Sequence, residues 1–125
     1  MLSRLRSDFA YAAGLLRVVR ATRIATKRPD RTLGDHLAEW AAQHGDRPAL
    51  ANERESYSYR ALDARANAYA RWARERGLAK GDTVALLMPN RPEYVAIWFG
   101  LVRAGLGVAL VNTNLTGAGL AHSLA

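Results

Sequence analysis

The sequence predicts an α/β fold, a partial parallel-sheet lobe built on one βαβ unit. Two short apolar runs, Val84–Met88 and Val108–Val111, flank a segment with helical signals, Arg91–Ala104. Runs this short, bounded by glycine or proline, are predicted to be buried strands. The connection is long enough for a right-handed crossover, so the strands are parallel. Both then end at one sheet edge, where the loops Pro89–Glu93 and Asn112–Leu115 are expected to hold a ligand.

The helix of this unit has recognisable start and stop signals. Asn90 is a good N-cap, and Pro92 suits the first turn because its missing N–H needs no partner there. Glu93 stands three residues after Asn90, where its carboxylate can reach back to the N–H of the cap. Gly105 ends the helix. Since the helix is apolar nearly all round, it is predicted to be covered on more than one side.

The same segment has a second interpretation as a membrane span. Tyr94–Val111 contains a single charge, Arg103, and nine Val, Leu, Ile or Phe residues. These nine contribute roughly −4 kcal/mol to insertion against about +3 for a central arginine, so hydropathy alone does not decide. The capping signals and the two glycines, Gly105 and Gly107, break the run into a helix and a strand. They favour the βαβ unit.

A short helix and a hairpin are predicted before this unit. Thr32 caps a helix over Leu33–His44, which Gly45 ends. The predicted buried face of this helix consists of Leu33, Leu37, Trp40 and Ala41. The segments Pro48–Ala51 and Ser56–Tyr59 are two short strands joined by a polar turn, most simply a small hairpin.

A longer helix is predicted to follow the hairpin, from about Tyr59 to Arg76, with Ser58 as its cap and Gly77 after its end. Its inner stripe consists of Leu62, Ala66, Tyr69 and Ala73. Its outer, solvated face consists of Arg60, Asn67, Arg71 and Arg74. A last helix begins at about Thr116, and the sequence ends within its pattern without a cap. The sequence is therefore predicted to be a truncated N-terminal piece of a larger domain.

The charge distribution divides the chain into two predicted regions. The 125 residues carry a net charge of +7. Of this, residues 1–31 hold eight basic and two acidic residues, while residues 32–125 hold ten and nine. The positive charge thus belongs to a leader, 1–31, and the domain, 32–125, is nearly neutral. Without an aromatic and basic strand pattern, no nucleic-acid partner is predicted.

The leader is predicted to be a basic amphipathic helix. Apolar residues recur at spacings of three and four from Leu2 to Val19, with most basic residues off that stripe. A spanning arrangement is unfavourable, because each buried arginine costs roughly 3 kcal/mol. The candidate membrane-interface residues are Arg6, Arg17, Arg20, Arg23 and Lys27. Packing on the rest of the protein and an arginine-rich transit peptide remain alternatives.

The sequence contains no recognisable catalytic constellation. It has no cysteine, and its three histidines lack the spacing of a metal site. No GxxxxGK[ST] loop is present, and Gly105-Leu106-Gly107 precedes a strand, unlike a dinucleotide fingerprint. No serine lies in a GxSxG setting. We therefore predict no catalytic, cofactor-binding or metal-binding residue in this chain.

Six short blocks, in order and spacing, resemble the N-terminal part of AMP-forming acyl-CoA synthetases, in the adenylate-forming superfamily. The blocks are Arg47-Pro48-Ala49-Leu50, Tyr57-Ser58-Tyr59 with Leu62, Gly77-Leu78 with Gly81-Asp82, Met88-Pro89-Asn90-Arg91 with Glu93, Ala104-Gly105, and Ala109-Leu110-Val111-Asn112-Thr113-Asn114-Leu115. The last block is similar to the branch of very-long-chain acyl-CoA synthetases and fatty-acid transport proteins. Thr116-Gly117 departs from that branch, where basic residues are expected.

The resemblance implies a two-step reaction in the parent enzyme. A fatty acid carboxylate attacks the α-phosphate of ATP, with Mg²⁺ balancing charge, and the thiol of CoA then displaces AMP. The family's phosphate loop, acidic motif and catalytic lysine have no counterpart in these residues, so this fragment alone is predicted to be inactive. Its predicted partners are the missing remainder of the synthetase chain, a fatty acid and a membrane surface.

Two functional hypotheses follow from these observations. The chain is either the N-terminal fragment of a fatty-acid–CoA ligase, or a non-catalytic membrane-surface or interaction protein derived from that fold. A fragment of another adenylate-forming enzyme, an aryl-CoA ligase or an adenylation domain, is a further alternative. The expected location is cytoplasmic, peripheral on the inner face of a membrane.

Overall fold

The computed structural model describes residues 14–20, 22 and 31–124. The chain divides into two units, Met1–Arg31 and Thr32–Ala125, and each is described by itself. In the first unit, residues 14–20 are helical, as predicted for the leader. No helix in the described part of the chain is both long enough and apolar enough to cross a membrane.

The second unit is a mixed α/β structure in which a hairpin and a parallel strand pair pack against helices. Its elements in chain order are α1 (Leu33–His44), β1 (Pro48–Ala51), β2 (Ser56–Ser58), α2 (Tyr59–Glu75), β3 (Thr83–Leu86), α3 (Pro92–Arg103), β4 (Gly107–Leu110) and α4 (Gly117–Leu124). The helices α1, α2 and α3 pack on one another.

The predicted βαβ unit is confirmed. Strands β3 and β4 pair in parallel, with Thr83 opposite Gly107 and Leu86 opposite Leu110. Both strands begin one residue earlier than predicted, and β3 ends two residues earlier than predicted. The last hydrogen bond between the two strands is donated by the Val111 N–H to the Leu86 carbonyl, at 3.0 Å. The span interpretation of 94–111 is wrong, since α3 ends and Gly105 turns the chain with φ 87°.

The predicted burial of both strand faces is wrong for the described residues. Val84 and Val108 are half-buried and pack with Leu101 and Leu106 under α3. By contrast, Leu110 at the end of β4 is 45% exposed. No other strand in residues 31–124 joins this pair, and a parallel sheet is usually covered on both faces.

The hairpin is confirmed and the buried face of α1 only in part. Strands β1 and β2 pair antiparallel, although Tyr59 begins α2 instead of extending β2.

At the start of α1 the Asp35 carboxylate accepts the Thr32 N–H at 2.7 Å, closing the predicted cap. Leu37 is fully buried, whereas Trp40 is 38% exposed and Leu33 is also exposed. The helix thus contacts the core along a narrower stripe than its pattern predicts.

The main core lies where α2 crosses α3. The Ser58 hydroxyl accepts the Ala61 N–H at 3.1 Å, so the predicted cap of α2 is confirmed. The buried core residues here are Leu37, Leu62, Ala66, Ala96 and Phe99. Gly100 of α3 lies directly against the backbone of α2 at Ala66. A side chain at position 100 would prevent this approach, because packed helices approach only as closely as their contact side chains allow.

A polar network at the end of α3 was not predicted from the sequence. The Arg103 guanidinium pairs with the Asp63 carboxylate at 2.7 Å and also donates to the side chain of Asn67 and the carbonyl of Gly34. Asn67 was assigned to the solvated face of α2, which is wrong, since it is half-buried and accepts from Arg103. One arginine therefore joins α1, α2 and α3, because its planar group has several donors.

Candidate functional site

The carboxyl ends of β3 and β4 meet at a polar cleft. The loop after β3 and the loop after β4 enclose about 370 Å³ between them. The cleft is lined by Met88, Asn90, Tyr94, Leu110, Val111, Asn112 and Thr113. This is the edge that the sequence predicts for a ligand, and both predicted loops contribute to it.

The loop after β4 is held in shape by its own asparagine. The Asn112 side-chain oxygen accepts the Asn114 N–H at 2.9 Å, and the Asn112 carbonyl accepts the Leu115 N–H at 3.1 Å. The cleft therefore presents amide, hydroxyl and phenol groups, and none of its lining residues is an acid, a base or a histidine. Such a lining can bind and orient a polar group.

A buried carboxylate lies directly behind the loop after β3. Glu93, the second residue of α3, is 6% exposed. It accepts hydrogen bonds from the hydroxyls of Tyr57 on β2 and Tyr69 on α2. Arg65 of α2 approaches both carboxylate oxygens, with its Nη2 2.7 Å from Oε1 and its Nε 3.3 Å from Oε2. We call these four residues the Glu93 cluster.

The predicted role of Glu93 as a capping residue is wrong. The N-cap of α3 is Arg91, one residue later than the predicted Asn90, and it makes no side-chain capping bond. Glu93 therefore occupies the second helical position and turns inward, toward Tyr57 and Tyr69. The positive end of the helix dipole adds to the stabilisation of the carboxylate there.

The pKa values of the Glu93 cluster follow from this geometry. Burial alone would raise the pKa of Glu93, but the hydrogen bonds from Tyr57, Tyr69 and Arg65 together hold it below the ordinary value of 4.5. Burial and the bond to Glu93 raise the pKa of Tyr69 to about 12. The bond to Glu93 raises the pKa of Tyr57 as well. At neutral pH the cluster thus holds one carboxylate, two neutral phenols and one guanidinium.

The Glu93 cluster fixes the loop that lines the cleft. Its members join β2 and α2 to the first turn of α3, immediately after the loop at residues 89–91. On the outer side of the same loop, the Arg91 Nε lies 2.8 Å from the Glu55 carboxylate at the tip of the hairpin. Among the described residues every buried side-chain polar atom has a partner. The cluster therefore positions the cleft and does not itself present a reactive group.

A second, wider cleft lies between the hairpin tip and the same loop. It encloses about 750 Å³ and is lined by Asn52, Glu53, Arg54, Glu55, Pro89, Asn90 and Arg91. The Asn52 side chain accepts the N–H groups of Arg54 and Glu55, both at 2.8 Å, which fixes the hairpin tip. Since its charged side chains include an ion pair, this cleft is a solvated groove and a weaker candidate than the carboxyl edge.

The predicted membrane-interface residues fall in the leader. Arg17 and Arg20 lie in the described helical segment, whereas Arg6, Arg23 and Lys27 lie outside the described residues. The apolar side chains of that segment are exposed; they are Leu15, Leu16, Val18 and Val19. On a helical projection these four face one side and the two arginines face the other.

The described residues offer no site for a catalytic metal. In residues 14–20, 22 and 31–124 no group of three histidine, cysteine or acidic side chains could hold an ion. The nearest approach to a polar centre, the Glu93 cluster, has its only carboxylate occupied by protein donors. The Mg²⁺ that the family resemblance implies does not fit these residues.

Comparison with known proteins places the chain in one family. The sequence profile of the family described as AMP-binding enzyme matches residues 37–125. A long-chain-fatty-acid–CoA ligase of Escherichia coli O6:H1 is 40% identical over 99 residues, 77% of this chain and 18% of the relative. Long-chain fatty acid transport protein 2 of Rattus norvegicus is 36% identical over 115 residues, 91% of this chain and 18% of the relative. The chain thus spans less than a fifth of these relatives.

Solved structures agree with this assignment. The N-terminal subdomain of Klebsiella oxytoca NpsA, in complex with anthranilyl-AMSN, is 26% identical with a TM-score of 0.71, over 75% of this chain and 25% of that chain. The N-terminal domain of FACL13 from Mycobacterium tuberculosis is 29% identical with a TM-score of 0.71, over 75% of this chain and 24% of that chain. Because the family profile covers more than half of its residues, this chain belongs to the AMP-binding enzyme family and corresponds to an N-terminal part of it.

Proposed function

We propose that this chain is the N-terminal part of a ligase that joins long- or very-long-chain fatty acids to CoA. The identities support this assignment, since fatty-acid ligases and fatty acid transport proteins are 34–46% identical to the matched parts of this chain. The βαβ unit with a polar cleft at its carboxyl edge supports it structurally. The region 32–125 is then one layer of the AMP-binding domain.

In this proposal the parent enzyme uses ATP, Mg²⁺ and CoA. The fatty acid carboxylate attacks the α-phosphate, forming acyl-AMP and pyrophosphate, and the CoA sulfur then attacks the acyl carbon and releases AMP. Acceleration of such a reaction depends on positioned donors and charges. Residues 32–125 contribute a rigid edge whose shape depends on the Glu93 cluster, and the remainder of the enzyme supplies the phosphate-binding and catalytic groups.

The proposal is tested by carboxylate-dependent exchange of pyrophosphate into ATP. The 125-residue chain should give no exchange with any acid. The polypeptide encoded by the complete gene should give exchange with long-chain fatty acids and should then form acyl-CoA. Exchange supported by aryl acids alone would favour an aryl-CoA ligase instead. Exchange by the purified 125-residue chain would contradict the assignment of the reactive groups to the remainder of the enzyme.

A second candidate function, contact of the leader with a membrane surface, is favoured by the two faces of residues 14–20. Four exposed apolar side chains lie opposite Arg17 and Arg20, as in helices that lie in the headgroup layer. In this second proposal the leader, 1–31, holds the protein on the cytoplasmic face of a membrane. Packing of the leader on the protein and removal as a transit peptide are the competing outcomes.

Neutralising Arg17 and Arg20 with glutamine should weaken binding to anionic vesicles about thirtyfold, because each basic residue near such a surface contributes about 1 kcal/mol. Flotation of the full chain with phosphatidylglycerol-containing vesicles measures this. The matched control neutralises Arg47 and Arg54, two exposed arginines of the domain. Equal losses from the two pairs would show that net charge, and not the leader, determines binding.

A further inference from the structure

The C-terminal end of α2 carries exposed arginines around an exposed tryptophan. This basic-aromatic patch consists of Arg71, Trp72, Arg74 and Arg76. Trp72 is 44% exposed, and the Arg76 guanidinium carbon lies 5.7 Å from the centre of the Trp72 ring. At this distance the guanidinium and the face of the ring attract each other, and an exposed pair of this kind contributes about 0.5–1 kcal/mol.

The arginines of the patch differ in their pairing from four other arginines of the domain. Four arginines of the domain each lie in an ion pair, Arg60 with Asp46, Arg65 with Glu93, Arg91 with Glu55 and Arg103 with Asp63. Arg71, Arg74 and Arg76 form no ion pair with the described residues, and Glu75 is the only acid among them in the sequence. Positive charge is therefore concentrated at this end of a nearly neutral domain.

The helix dipole accounts for part of this pattern only. Cations in the last turn stabilise a helix, which explains the position of Arg74 and Arg76. It does not explain an exposed tryptophan between arginines, nor Arg71 one turn earlier. A ligand that takes both an aromatic ring and several cations would explain all four residues.

We propose that the basic-aromatic patch binds the surface of an anionic lipid bilayer. Tryptophan rings settle at the level of lipid headgroups, and arginines beside them pair with phosphates while their stems lie along apolar groups. The convex face of a helix suits a planar surface. A single-stranded nucleic acid is less suited, since such sites use several stacking rings along a groove and this patch has one. The proposal does not depend on the ligase function, because it concerns the outer face of α2.

The test uses tryptophan fluorescence as a local probe, because the leader contains no tryptophan. The full chain is mixed with vesicles whose lipids carry brominated acyl chains, which quench nearby indoles. Quenching is expected with phosphatidylglycerol-containing vesicles and not with phosphatidylcholine alone. Trp72→Phe should abolish the quenching. Trp40→Phe, which removes a comparably exposed tryptophan from α1, should leave it in place.

Affinity provides a second arm. Arg71→Gln with Arg76→Gln should weaken binding to the anionic vesicles about thirtyfold, because each basic residue near such a surface contributes about 1 kcal/mol. Arg47→Gln with Arg54→Gln changes the net charge equally and should weaken it less than about threefold. Circular dichroism of each variant should match the parent, since all four arginines are exposed.

Three results would overturn the proposal. The first is quenching that survives Trp72→Phe, and the second is an equal loss of affinity from both arginine pairs. The third is competition: if millimolar inorganic phosphate abolishes vesicle binding, or if a single-stranded RNA competes with the vesicles equally well, the patch binds another anion. None of these results affects pyrophosphate exchange with detergent-dispersed fatty acid, so failure here is distinguishable from failure of the ligase assignment.

Discussion

Replacing Glu93 with alanine is expected to lower the free energy of unfolding of the 125-residue chain by about 2–4 kcal/mol. Glu93 is 6% exposed, and its carboxylate accepts from Tyr57, Tyr69 and Arg65 at once. Without it, two half-buried phenol groups lose their acceptor, whereas the guanidinium of Arg65, whose side chain is 52% exposed, can bond to water. Urea unfolding, followed by circular dichroism and fluorescence, measures the loss.

The matched control is Glu55→Ala at the hairpin tip. Glu55 also pairs with an arginine, Arg91, but both side chains are partly exposed and the pair stands alone. Pairs of this kind contribute about 0–1 kcal/mol. A loss of equal size in the two variants would mean that the Glu93 cluster is no more than a surface ion pair.

The pH dependence of stability tests the Glu93 cluster independently. Because the folded state holds the pKa of Glu93 below 4.5, the folded state binds fewer protons than the unfolded state between the two pKa values. The stabilisation is therefore present above the unfolded pKa and is lost as the pH falls through the folded pKa, from about pH 5 downward. Glu93→Gln should make the melting temperature depend less on pH over this acid range. An unchanged profile in that variant would contradict the lowered pKa.

Elements of this fold could be predicted wherever their signals are local. Ser58 caps α2 in the sequence and in the structure, and Gly105 turns the chain where the apolar run ends. The parallel pairing of β3 and β4 followed from the length of the connection and the handedness of crossovers. The caps and turns depend on residues a few positions apart, whose chemistry acts before any tertiary contact exists, whereas the strand pairing depends on a general rule about how parallel strands are connected.

The Glu93 cluster could not be predicted in this way. Its members lie up to 36 residues apart, and the spacing from Asn90 to Glu93 fits a capping box equally well. One signal was available: Tyr69 falls on the inner stripe of α2, where a buried phenol needs a partner. A similar signal was Arg103, the single charge between Tyr94 and Val111, which pairs with Asp63 of α2. In both cases sequence shows that a partner is required but not which residue it is.

Replacing Gly100 with alanine is expected to destabilise the domain by about 2–3 kcal/mol, because α2 and α3 touch there without an intervening side chain. A Cβ at position 100 would lie 2.6 Å from the Cβ of Tyr69 and still closer to the carbonyl oxygen of Ala66. Neither atom is the flexible end of a side chain, so the helices must separate. Separation would loosen the Leu62 and Phe99 packing on either side.

Two opposing contributions determine how far Gly100→Ala changes the free energy of unfolding. A substitution at a second glycine measures one of them alone. Alanine in a helix is favoured over glycine by up to about 1 kcal/mol, which offsets part of the steric loss at position 100. Gly119 of α4 has room, since its nearest neighbour would be a Leu115 methyl 3.8 Å away. Gly119→Ala should therefore raise the melting temperature while Gly100→Ala lowers it. If both substitutions stabilised the chain, the close crossing of α2 and α3 would be wrong, and with it the frame that holds Tyr69 and Arg65 in place around Glu93.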